Sequence, residues 1–182
     1  MAKYSIPPKV FLEMGGWRQP LMMVDRIDDF KYGHSGYIRV VKHVTYNEPY
    51  MSGHFPEDPI MSGVLISEIF GQASEYFSFL SDICEIYHQQ YDETLVSLRD
   101  IYNKINDENM LDIIRQRRSQ VRGKLASQNL KFKEAAYPGD TIEVTSKLAF
   151  SDSNGFMHYS VSAHVGKKLI SQGTIINFRE VT

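Results

Sequence analysis

The rhythm of apolar and polar positions changes along the chain, and each change predicts an element. A short apolar run, Pro8 to Met14, predicts a helix that Gly15 and Gly16 stop. MMVDRIDDFKYG and SGYIRVVKHVT are rich in β-branched and aromatic residues. Their imperfect alternation predicts two strands joined by the turn Tyr32-Gly33-His34-Ser35-Gly36. From Gly63 to about Leu80 the spacing is helical, with Ser62 at the N-cap position. Val64, Leu65, Ile69, Phe70, Ala73, Phe77 and Leu80 cover more than one face, which predicts a helix buried on most sides. Glu68, Gln72 and Glu75 form a polar stripe at i, i+4, i+7. Residues 81–122 are charged and free of Gly and Pro, and predict one or two surface helices. KLASQNLKFKEA, TIEVTSKLAF, GFMHYSVSAHV and KLISQGTIINFRE then predict strands, parted by Pro138-Gly139-Asp140, SDSN and GKK turns. One long buried helix beside a mostly antiparallel sheet is an α+β layout.

The 182 residues suit a single domain, 1–182, with a helical insertion at about 85–122. A net charge of −2 gives no global field favouring nucleic acid or an anionic membrane. One cysteine, Cys84, excludes an internal disulfide, and no Cys/His cluster has zinc spacing. No apolar run approaches the ~20 residues that span a bilayer, and MAKYSIPPKVFLEMGG lacks the form of a secretory signal. The expected location is the cytoplasm.

The segment NEPYMSGHFPEDPIMSGVLISEIFGQ, Asn47 to Gln72, carries the candidate chemistry. It sets His54 in a Gly-His-Phe-Pro turn, and Glu68 about a turn and a half into the helix that follows. A base and an acid near a helix N-terminus suit proton transfer on a carbonyl compound. An unperturbed imidazole titrates near pH ~6.5 and is a fit base. A carboxyl donor must hold its proton, and burial on an apolar helix acts in that direction. Residue by residue, blander readings stand beside these. His54 could be a turn histidine, Glu68 part of a solvated stripe with Gln72 and Glu75, and Gly63 a simple helix-start glycine.

The same segment resembles the active-site segment of the β-hydroxyacyl-(acyl carrier protein) dehydratases of bacterial type II fatty acid synthesis. RQPLMMVDRI, residues 18–27, and NLKFKEAAYPGDTIEV, residues 129–144, resemble flanking pieces of that family. The resemblance implies a hot-dog fold, an antiparallel sheet wrapped around the helix at about 63–80. It implies a homodimer or trimer of dimers with shared active sites, in which His54 of one subunit faces Glu68 of the other. It further implies dehydration of (3R)-hydroxyacyl thioesters to trans-2-enoyl thioesters. His54 would be the base, Glu68 the acid, and the Gly63 N–H the support for a developing oxyanion. The Ile60 carbonyl would orient His54, while Phe55, Val64 and Gln72 would line the substrate site. No metal and no cofactor is implied, because the substrate rides on the phosphopantetheine of acyl carrier protein. Glutamate rather than aspartate at position 68 resembles the branch without isomerase activity.

The chain departs from the family pattern in three places. Gly16-Trp17-Arg18 stands where Pro-His-Arg is usual, Ser62 replaces a proline, and residues 85–122 lengthen a connection. These departures leave open a specialised dehydratase or hydratase of a polyketide or other secondary pathway, or one acting on coenzyme A esters. A non-catalytic carrier-binding subunit is the reading from another class, and intact His54 and Glu68 speak against it. Arg115, Arg117, Arg118 and Arg122 read either as a solvated face or as a docking patch for an acidic carrier. Lys131 and Lys133 are alternative docking residues.

Overall fold

A computed structural model describes residues 4–181. Its first element, α1 (Pro8–Met14), has proline in its first turn, where a missing N–H costs nothing, and buries Val10, Phe11 and Met14. Strands β1 (Arg26–Lys31) and β2 (Tyr37–His43) form the expected hairpin. Gly33 in its turn has φ +108°, a conformation that favours glycine. A single turn of 3-10 helix, Met51–Gly53, leads into the loop before the long helix.

That helix, α2, runs from Gly63 to Tyr91, 29 residues, and is about 43 Å long. It continues well past Leu80, the predicted end. The reason lies in the side chains: Leu80, Ile83, Cys84 and Tyr87 extend the buried stripe at helical spacing, and no Gly or Pro interrupts it. Asp92 ends the helix in a left-handed conformation, φ 53°. Two short helices follow, α3 (Leu98–Lys104) and α4 (Glu108–Gln120). Ser97 and Asp100 form a reciprocal capping box on α3, and Asp107 accepts from the Asn109 N–H at the start of α4.

Four strands complete the sheet: β3 (Val121–Phe132), β4 (Thr141–Ser151), β5 (Phe156–Val165) and β6 (Lys168–Val181). The order across the sheet is β1-β2-β4-β5-β6-β3, antiparallel throughout. Its inner face wraps α2, the hot-dog arrangement. Ile69, Phe70, Ala73 and Phe77 of the helix share a core with Ile38, Val40, Val144, Val161 and Ile175 of the strands. Small polar residues let helix and sheet approach. Ser74 Oγ lies 2.7 Å from Ser146 Oγ, and Ser78 is hydrogen bonded to the Tyr159 hydroxyl.

The insertion was expected to lie outside this core. Instead, its first seven residues, 85–91, are the end of α2. The rest joins the core through Leu98, Ile101, Met110, Ile113 and Ile114, all under 5% exposed. Each such side chain contributes roughly 1.5–3 kcal/mol relative to exposure. β3 is the exception to burial. Apart from Val121 and half-buried Leu130 it is exposed along its length, and only β6 pairs with it.

Candidate active site

The loop from His54 to Ile60 is closed by its own backbone. The Ile60 N–H donates to the His54 carbonyl at 2.9 Å, and Phe55 and Asp58 exchange a pair of bonds at 3.2 Å each. The imidazole Nδ1 lies 3.1 Å from the Ile60 carbonyl. A carbonyl oxygen only accepts, so Nδ1 carries the proton and Nε2 keeps its lone pair. The Phe55 ring stacks on the imidazole, centroids 4.4 Å apart, which limits its rotation. His54 thus has the tautomer and the fixed ring that a general base needs.

α2 begins just after this loop. Ser62 occupies the N-cap position in extended conformation, but its side chain makes no capping bond. The first N–H groups of a helix have no partner inside it, and those of Gly63 and Val64 lie at the positive end of a 29-residue helix. Gly63 also faces Phe132 of β3, whose ring would lie 3.3 Å from a Cβ at this position. The Phe132 ring is 49% exposed, Phe55 55% and Val64 73%, so apolar surface surrounds the helix start. A cleft of about 290 Å³ runs there between Ile60, Gly63, Phe132 and Lys133.

Glu68 belongs to a different face. Its Oε1 accepts from Gln72 Nε2 at 2.9 Å. Of the stripe Glu68-Gln72-Glu75, Gln72 is buried and both acids are partly buried, where periodicity alone suggests a solvated face. Gln72 is fully buried, its Nε2 also reaches the Leu21 carbonyl at 2.7 Å, and its Oε1 accepts from the Met23 and Val24 N–H groups at 3.0 and 3.3 Å. Gln72 ties the loop before β1 to the helix and orients the acid. The loop's part in this had no sequence signal, since it is played by backbone atoms. Glu68 lines a cleft of about 240 Å³ with Trp17, Leu21, Gly71 and Leu125.

Five residues separate Gly63 from Glu68 on one helix, a rotation of about 140°. Gly63 and Glu68 therefore lie on different sides of α2 within one chain, each lining its own cleft.

The four arginines do not share one outward face. Arg117 Nε donates to Asp82 Oδ2 at 2.7 Å, and Arg179 donates to the same oxygen at 2.7 Å. Arg115 is held by Glu13, Glu108 and Asp112 at 3.1 to 3.4 Å. Arg118 donates to the Val121 carbonyl at 2.9 Å. With Arg122 it lines a cleft between α1, α2 and α4. A period of 3.6 places Arg117 inward, but only knowledge that α4 packs on α2 says which side is inward. Lys131 and Lys133 are exposed on and just after β3. Among the described residues, no three His, Cys, Asp or Glu side chains are grouped as a metal centre needs, and no helix is long and apolar enough to cross a membrane.

Known proteins resemble this chain in sequence and in fold. A family model described as FabA-like domain matches residues 17–98. The 3-hydroxyacyl-[acyl-carrier-protein] dehydratase FabZ of Bordetella petrii is 45% identical over 74 residues, 41% of this chain and 48% of that protein. The chain thus spans about half the length of such relatives. The FabZ of Wolbachia pipientis wMel is 30% identical over 156 residues, 86% of this chain and 84% of its own. Among solved structures, the dehydratase heterocomplex ApeI:P from Xenorhabdus doucetiae superposes with a TM-score of 0.59 at 11% identity, covering 91% of this chain and 88% of that one. A hot-dog-like protein from Thermanaerovibrio acidaminovorans gives 0.50 at 14%, covering 83% and 85%. These two likenesses speak for the fold, and the Wolbachia relative for descent: the chain belongs to the family of 3-hydroxyacyl-[acyl-carrier-protein] dehydratases.

Proposed function

We propose that this protein dehydrates (3R)-hydroxyacyl groups on acyl carrier protein to trans-2-enoyl groups, as part of fatty acid biosynthesis. The observation that carries the reading is His54: its Nδ1 is engaged by the Ile60 carbonyl, so Nε2 is the free basic nitrogen. In this reading Nε2 takes the proton from the carbon beside the thioester carbonyl. The Gly63 N–H stabilises the enolate oxygen that develops, with the α2 dipole behind it. Glu68 gives a proton to the leaving hydroxyl, which departs as water. No redox change occurs, so no cofactor enters the balance.

The site is shared between two subunits in this proposal. Gly63 and Glu68 face opposite clefts, so a second copy must bring its His54 and Gly63 to the first copy's Glu68. The exposed ring of Phe132, together with Val64, Phe55 and Leu125, supplies apolar surface for that contact. The open edge of β3 allows the two sheets to join. Both the homodimer and a trimer of such dimers satisfy this geometry. The reading carries a cytoplasmic location with it, and places carrier docking near Lys131 and Lys133.

The test is complementation. His54→Ala and Glu68→Gln should each lower kcat by at least ~10²-fold while remaining folded. Mixing the two inactive proteins after dissociation should restore part of the activity, because a mixed dimer holds one intact pair. Full activity in either single variant would remove that residue from the mechanism. No recovery on mixing would overturn the shared site.

A further inference from the structure

The cleft beside Glu68 and the cleft beside α4 meet around Glu75. Both are lined by Trp17, Glu75 and Gly123. The second, about 250 Å³, reaches Tyr76, Phe79 and Arg118. Glu75 lies seven residues beyond Glu68, two turns along the same face of α2 and about 10.5 Å away along the axis. Gly123 makes room for it, since a Cβ there would lie 2.2 Å from Glu75 Oε2. An acyl group held at Glu68 and running along α2 comes to this junction.

An alkyl end finds a poor match there. Glu75 Oε2 is buried and has no hydrogen-bond partner among the described residues. The same holds for Asn177 Oδ1, whose residue is 3% exposed and lines the cleft at Glu68. Buried acceptors left against a methyl group lose their hydration without replacement. The charges nearby restrict what could replace it. A cationic end would meet the guanidiniums of Arg118 in the cleft and of Arg179, which lies 3.4 Å from Glu75. An anionic end would meet Glu75. Burial raises the affinity of the Glu75 carboxyl for a proton, and a hydroxyl serves either form, because it both donates and accepts.

We propose that this junction is a specificity site for acyl groups whose distal end carries a neutral hydroxyl, bound by Glu75 and Asn177. The proposal rests on the dehydratase reading and adds a substrate class to it. Two matched series of 3-hydroxyacyl pantetheine thioesters, one ending in methyl and one in hydroxyl, test it over increasing chain length. At the length that reaches Glu75, the hydroxyl-ended substrate should have a kcat/KM at least about tenfold higher, since a site built around a hydroxyl rejects the analogue without it. Asn177→Leu should abolish most of that preference, read as the ratio of kcat/KM between the two series at that length. Equal or better turnover of the long methyl-ended series would overturn the hydroxyl site and leave the dehydratase reading standing. Absence of turnover in both series, at every length, would overturn both. The wild-type comparison decides even if the variant does not fold.

Discussion

Gln72 holds Glu68 at 2.9 Å from inside the protein, and three further bonds of the same amide hold the loop at Leu21 to Val24. One side chain therefore sets both the direction of the acid and the path of the chain into β1. The amide uses its two N–H groups on the Leu21 carbonyl and Glu68, and its oxygen on two backbone N–H groups. Little of its bonding capacity is left over.

Replacing Gln72 by Met keeps the volume and removes all four bonds. The Met23 and Val24 N–H groups would be left buried without partners, at about 1–3 kcal/mol each. The expected result is a clear fall in thermal midpoint, and a kcat lowered by about tenfold or more with KM moved less. Thermal melts and steady-state kinetics on the same preparation separate the two effects. A folded variant with unchanged kcat would make Gln72 a packing residue alone.

Much of this fold can be read from the chain itself, because its elements repeat their own period. The strand runs, the Gly33 and Gly139 turns and the start of α2 all follow from local pattern. The end of α2 does not, since Ile83 and Tyr87 continue a stripe into a segment whose charge suggests a surface. His54 and Glu68 were legible through motif. Glu75 was not. Periodicity reads it as solvated, and its burial depends on Gly123, 48 residues later, leaving space above it. The inward turn of Arg117 likewise depends on Asp82 and Arg179, which sequence spacing does not bring together.

Asp82 is the shared acceptor of Arg117 and Arg179, with side chains 21%, 19% and 9% exposed. Asp82→Ala leaves two guanidiniums with no common counter-charge. The expected loss is on the order of 2–4 kcal/mol, read by chemical denaturation. Arg115→Ala should cost much less, since Glu108 and Asp112 are exposed and Glu13 is only half-buried. A reversed ranking would place the structural ion pairs on the outer face of α4.

Carrier docking is expected at Lys133, which is exposed and lines the cleft at Gly63. Lys133→Glu should raise KM for carrier-bound substrate several-fold. The effect should shrink as ionic strength passes ~0.15 M. Turnover of a free pantetheine thioester should be nearly unchanged. Equal losses on both substrates would assign Lys133 to the site itself.

Cys84 is 1% exposed, and burial pushes its thiol up to about 12. A thiol at that value is almost wholly protonated at neutral pH and a poor nucleophile. Alkylation by iodoacetamide at pH 8 should therefore be slow in the native protein and complete after denaturation, as followed by mass spectrometry. Rapid native labelling would place Cys84 at an accessible position.

The place of β3 in the sheet has a consequence for how the chain is made. Among the described residues its only strand neighbour is β6, with Val121 opposite Val181 and Phe132 opposite Ser171. A ribosome emits β3 well before that neighbour exists. Until β6 emerges, β3 has no strand to pair with. This edge of the sheet is thus completed only after β4 and β5, when β6 follows. Interruption of translation before β6 would leave a product with many of its core residues and with β3 lacking its strand partner.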